Sequence, residues 1–133
     1  MINRKITKYL EGFYKENKKA LLLTGARQTG KSFSIRQFGM SHFDSFVEIN
    51  FLDNPNAIGV ISEAKDSGDI LMRLSLLTDK PLIAGKTLIF FDEVQEYPEI
   101  VTAIKFLVEE GSYRYVLSGS LLGVELNDLR SEP

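Results

Sequence analysis

The sequence contains no cysteine, which excludes a disulfide framework and any thiolate metal site. Its single histidine, His42, stands without partner ligands and reads as a surface or turn residue rather than a catalytic base. Long hydrophobic runs are missing too. The longest, such as Leu88-Ile89-Phe90-Phe91, fall far short of a membrane span, and the Lys- and Glu-rich N-terminus carries no apolar signal core. These absences predict a cytoplasmic protein with no membrane partner. Neither sign of charge dominates: 16 Lys and Arg against 18 Asp and Glu leave a net charge of −2, so no general attraction to nucleic acid follows.

What is present is the composition of one globular domain. The 133 residues suffice for a single core, and 44% hydrophobic with 26% charged residues argues against disorder or fibre. The charge is nevertheless uneven. Residues 1–19 carry Arg4, Lys5, Lys8, Lys15, Lys18 and Lys19 against Glu11 and Glu16, so the remainder is acidic. A solvated helix face is the plain reading of this run, and a contact with nucleic acid or a membrane surface is the alternative. Ile2, Ile6, Tyr9, Leu10, Phe13 and Tyr14 form one helical stripe within it. The expected organisation is therefore an amphipathic helix over 1–19 packing on a single core over 20–133.

The chemistry begins at Ala20-Leu21-Leu22-Leu23, an apolar strand running into Gly25-Ala26-Arg27-Gln28-Thr29-Gly30-Lys31-Ser32. This stretch satisfies the Walker A pattern at every specified position. Gly25 and Gly30 permit a sharp turn and close backbone approach to a ligand. Loop amides then converge on an anion at a helix N-terminus, where the dipole favours negative charge. Lys31 supplies a mobile charge for the β- and γ-phosphates, and the Ser32 hydroxyl a ligand for Mg²⁺. The motif predicts nucleoside-phosphate binding.

Farther along, the helix opened by Lys31 is expected to stop at Gly39 as a C-cap, with Arg36 on its exposed side. Phe43 to Phe51 alternates as a half-buried strand, and Ala57 to Leu77 reads as two helices broken near Asp66-Ser67-Gly68. Gly85-Lys86-Thr87 resembles a second Walker A ending but enters a strand instead of leaving one. That strand, Thr87 to Asp92, is continuously apolar and ends in Asp92-Glu93, as a central parallel strand does. An acid at the carboxyl end of such a strand lies where open α/β sheets place their ligands. Asp92 fits the Mg²⁺ role opposite Ser32, and Glu93 is placed to polarise a water attacking the γ-phosphate. Pro98 and Glu99 suit the first turn of a helix with a buried stripe at Ile100, Val101, Ile104, Leu107 and Val108, leaving at Gly111. Gln95 lies in the loop between, facing the nucleotide, a neighbouring subunit or solvent. A fourth strand, Tyr113 to Leu117, leads to Ser118, which either senses the γ-phosphate beside the acids or simply opens a Ser-Gly turn.

Taken together, GARQTGKS, IFFDEVQEYP and YVLSGSLLG resemble the bacterial and archaeal AAA-superfamily ATPases whose P-loop domain usually precedes a larger C-terminal domain of unknown function. The resemblance covers about Leu21 to Gly123, with Arg27-Gln28 and Gln95 as its characteristic residues. It implies a three-layer α/β/α sandwich with a mainly parallel sheet of the additional-strand type, and ATP with Mg²⁺ as cofactors. Nucleotide contacts would run from Gly25 through Ala26, Arg27, Gln28, Thr29, Gly30, Lys31 and Ser32 to Phe33. Ser32 and Asp92 would hold the metal, and Glu93, Lys31 and Ser118 would form the catalytic set. About four strands are legible. The last strand, a helical lid and an arginine supplied in trans are not, so the sequence reads as ending inside the ATPase core. The expected function is an ATP-hydrolysing module coupled to an attached domain or partner, with homo-oligomers expected of a full-length protein. A nucleotide-gated binding module, associated with DNA through residues 1–19, and a small-molecule kinase are the alternatives.

Overall fold

The computed structural model of the chain describes residues 4–16, 20–24, 30–120 and 129–132. Its strands β1 (Ala20–Leu23), β2 (Ser45–Asn50), β3 (Thr87–Asp92), β4 (Arg114–Ser118) and β5 (Leu129–Glu132) form one sheet in the order β2-β3-β4-β1-β5. Every pairing is parallel.

The two-residue period of the strands divides the apolar residues between two helical layers. Leu21, Leu23, Leu88, Phe90 and Val116 face Leu10, Phe13 and Tyr14 of α1 (Arg4–Glu16) and Ile35 and Phe38 of α2 (Lys31–His42). Ala20, Leu22, Ile89, Phe91, Tyr115 and Leu117 face the other way. They pack with α3 (Asn56–Ser62), α4 (Ser67–Leu77) and α5 (Ile100–Glu110) through Ala57, Ile61, Leu74, Ile100, Ile104 and Leu107. Because both faces of β3 are covered, all six of its residues are buried. This is the expected three-layer α/β/α sandwich.

Local signals explain most boundaries. The Asp66 side chain accepts from the Asp69 amide and starts α4. Gly111, at φ 84°, ends α5 in the left-handed conformation that glycine adopts without steric cost. On α1, Leu10, Phe13 and Tyr14 are buried, and Arg4, Lys5, Lys8 and Lys15 are exposed. The Tyr14 hydroxyl donates to the Tyr115 carbonyl, and Arg114 Nη1 donates to the Tyr14 carbonyl at 3.2 Å, tying this helix to β4.

Two expectations are corrected. A fifth strand is present: Leu129 to Glu132 pairs with Ala20 to Leu23 along the sheet edge. Its four residues show neither an apolar run nor alternation, and edge pairing uses backbone groups that any side chain leaves available. Gly39 does not cap α2, which continues to His42 and is capped at Phe43. A Cβ at Gly39 would stand 2.1 Å from Phe46 Cδ1, so this glycine serves the approach of helix to strand. Arg36 does lie on the exposed side of α2, its side chain 39% exposed, and it adds a pairing that the sequence did not show: its Nε and Nη2 donate to the two Glu48 carboxylate oxygens at 2.6 and 3.0 Å.

Candidate active site

Register places the carboxyl ends of the strands in one row. Leu23 lies beside Ser118, Phe91 beside Leu117, and Asn50 beside Asp92. A cleft of about 260 Å³ opens over this row, lined by Lys31, Ser32, Arg36, Asn50, Asp92, Glu93, Gln95 and residues 118–120. A larger groove of about 800 Å³ runs between the α3–α4 connection and α5, away from every one of these residues. The position of the smaller cleft agrees with the rule that open α/β sheets bind ligands beyond the carboxyl ends of their strands.

Gly30 precedes α2 with φ 75°, a left-handed conformation suited to glycine. The helix opens with Ser34 N–H donating to the Gly30 carbonyl at 2.9 Å. Ser32 and Phe33 contribute their amides to the first turn, at the positive end of the helix dipole. The Phe33 side chain is 38% exposed and lines no part of the cleft. Gly25, Ala26, Arg27, Gln28 and Thr29 lie outside the described residues.

Lys31 is buried, and that burial lowers its pKa against the opposing pull of Asp92 and Glu93. Asp92 is buried as well, and desolvation raises its pKa. Two hydrogen bonds work against that rise: Ser32 Oγ donates to Asp92 Oδ2 at 3.0 Å, and Glu93 N–H donates to Oδ1 at 2.8 Å. The hydroxyl and the carboxylate are hard oxygen donors of the kind Mg²⁺ prefers. Among the described residues no group of three or more His, Cys, Asp or Glu could hold a metal alone.

Glu93 is the only non-glycine residue at positive φ among the described residues, at 55°. Such backbone costs on the order of 1–3 kcal/mol and concentrates at functional sites. Ser118, 1% exposed at the end of β4, follows Leu117, whose register partner Phe91 precedes Asp92. The structure thus brings Lys31, Ser32, Asp92, Glu93 and Ser118 together. Asn50 and the Arg36–Glu48 pair were not singled out from sequence. The usable signal at Asn50 was a polar residue closing a parallel strand on the ligand side.

A five-stranded parallel sheet with its acid pair at the carboxyl end of β3, next to a Lys-Ser helix start, defines the P-loop nucleotide-binding class. The model of the AAA domain family matches residues 17–133, and the chain belongs to that family. A Walker-type ATPase of Pyrococcus abyssi is similar in fold, with a TM-score of 0.56 and 15% identity over 90% of this chain and 45% of that one. PCH-2 of C. elegans gives 0.51 and 12% over 96% and 39%. The chain therefore spans less than half the length of either structure. No curated protein matches it.

Proposed function

We propose that this AAA domain binds ATP with Mg²⁺ and hydrolyses it, and that the nucleotide state sets the arrangement of an attached domain or partner. The observation that carries the reading is the contact of Ser32 Oγ with Asp92 Oδ2 across 60 positions of sequence, beside buried Lys31 and in one cleft with Glu93. Lys31 neutralises the phosphates, and the amides at the start of α2 face them, with Gly25 to Thr29 as the contacts the Walker A pattern implies. Ser32 and Asp92 would hold Mg²⁺, which supplies charge neutralisation on the phosphate oxygens. Glu93 takes the proton of the attacking water, and Ser118 holds that water or the terminal phosphate.

The division at residue 19 belongs to the same proposal, and the packing of α1 (Arg4–Glu16) on the sheet through Leu10, Phe13 and Tyr14 supports it. An attached domain, a homo-oligomer of a full-length protein and a cytoplasmic setting belong to the same proposal; the resemblance and the greater length of the matched structures support the first two. No helix among the described residues is long and apolar enough to cross a membrane.

Two substitutions test the assignment. Lys31→Ala abolishes ATP binding in a fluorescent-nucleotide titration, whereas Glu93→Gln binds normally and loses turnover. Normal hydrolysis by Glu93→Gln would remove Glu93 from the mechanism. ADP release that depends on an added nucleoside acceptor would instead identify a kinase.

A further inference from the structure

We propose that Gln95 is a positioning residue that couples the Glu93 carboxylate to the loop following β4. This rests on the hydrolysis proposed above and concerns how its general base is held. Gln95 Nε2 donates to Glu93 Oε1 at 2.6 Å, and Gln95 Oε1 accepts the Ser120 N–H at 3.2 Å. One planar amide therefore joins two segments 27 positions apart, Glu93 and Ser120. The role needs a donor and an acceptor on one neutral side chain of this length, which glutamine offers. Glutamate would keep the acceptor for Ser120 but turn a second carboxylate on Glu93. Leucine offers neither.

The surroundings of the link are built for it. A Cβ on Gly119 would stand 2.6 Å from Gln95 Oε1 and 2.9 Å from the Val94 backbone nitrogen, so only glycine lets the loop come this close. Gly119 N–H in turn donates to the Leu23 carbonyl at 3.2 Å, at the end of the strand that precedes the Gly25 motif. Val94 is fully buried, which anchors the turn and leaves Glu93 mainly its side-chain torsions. A continuous line of hydrogen bonds and chain thus leads from the end of β1 through Gly119, Ser120 and Gln95 to the Glu93 carboxylate. Displacement of the loop, by a terminal phosphate arriving or leaving at Ser118, reaches the general base through one side chain.

The test uses Gln95→Leu and Gln95→Glu in the intact protein. Misplacing a general base by a fraction of an ångström costs on the order of 10- to 100-fold in rate. Both variants should lose that much kcat while the ATP Kd and KM stay within about twofold of wild type, a split that a folding defect does not produce. In a Glu93→Gln background Gln95→Leu should add no further loss, because the group it positions is gone. Amide exchange at Ser120 should accelerate in Gln95→Leu and stay slow in Gln95→Glu, which retains the acceptor. Unchanged kcat in both variants, a full additional loss in the Glu93→Gln background, or Ser120 exchange indifferent to Gln95→Leu overturns the proposal. Should wild type hydrolyse no ATP, the ATPase reading fails by itself. Ser120 exchange, with the shift of the Gln95 side-chain amide resonances on Glu93→Ala, then decides whether the link exists.

Discussion

Replacing Asp92 with asparagine separates the structural role of this residue from its proposed metal role. The carboxylate receives two donors, Ser32 Oγ on Oδ2 at 3.0 Å and the Glu93 amide on Oδ1 at 2.8 Å. An asparagine can meet both. Its oxygen must face the Glu93 N–H, a fixed donor, and its NH₂ then faces Ser32, whose hydroxyl rotates to accept. Hydrogen bonds worth about 0.5–1.5 kcal/mol each are retained. The change removes a buried charge, which favours folding, and removes an attraction to Lys31, which opposes it. Without nucleotide the net effect should stay within about 1 kcal/mol. At about 2.1 cal/mol/K per residue over 133 residues, that is a change in Tm of about 3–4 °C.

Ligand linkage behaves differently. On the proposed function, ATP with Mg²⁺ at one hundred times Kd should stabilise the native state by about 2.7 kcal/mol, or about 10 °C on the same scale. In wild type, exchanging Mg²⁺ for EDTA should lower this shift, and in Asp92→Asn the two conditions should coincide. Differential scanning fluorimetry with both additions measures it. A Mg²⁺-dependent shift of wild-type size in Asp92→Asn would show that Asp92 does not hold the metal. A loss above about 10 °C without nucleotide would refute the hydrogen-bond accounting. The pH dependence adds a sign. Burial raises the Asp92 pKa in the fold, so wild type has its full share of stability in acid and loses it as pH rises through the folded pKa. Asp92→Asn lacks that loss, so its stability relative to wild type should rise from acid to neutral pH.

Three further outcomes follow from local geometry. Glu93→Gly should abolish hydrolysis while raising stability by up to about 1 kcal/mol in thermal denaturation, because glycine relieves the φ of 55°. Gly39→Ala should cost about 1–3 kcal/mol despite alanine's helix propensity, since the new Cβ meets the Phe46 ring at 2.1 Å. A rise in urea midpoint would refute that contact. Tyr115→Phe should be neutral or stabilising by up to about 2 kcal/mol, because the Tyr115 hydroxyl is the one buried side-chain polar atom without a partner among the described residues. A clear fall in Tm would mean that the hydroxyl has one.

The site was legible where chemistry is local in sequence. A glycine that must turn, a Lys-Ser pair at a helix start and an apolar strand ending in Asp92-Glu93 each carry their reason within a few residues. That Ser32 and Asp92 meet was an inference from motif order, and the observed contact answers it. Gln95 was marked but undirected, because the direction of a loop amide depends on Ser120, which the chain brings back 25 residues later. The turn that puts Glu93 at positive φ left no sign in residue type, since glutamate has no preference for it.

By itself the sequence marked four of the five strands, and a core on both faces of the sheet follows from them, because alternation of side chains is a property of extended backbone. It marked also the candidate residues to which the proposed function gives the binding of phosphate, the holding of a hard cation and the taking of a proton. Only the tertiary structure decided the order β2-β3-β4-β1-β5, and the pairing of an edge strand whose four residues carry no pattern. It decided that Gly39 is needed for Phe46 rather than for a cap, and that Gln95 reaches both Glu93 and Ser120. These depend on distances between segments far apart in the chain, which residue identity constrains but does not set.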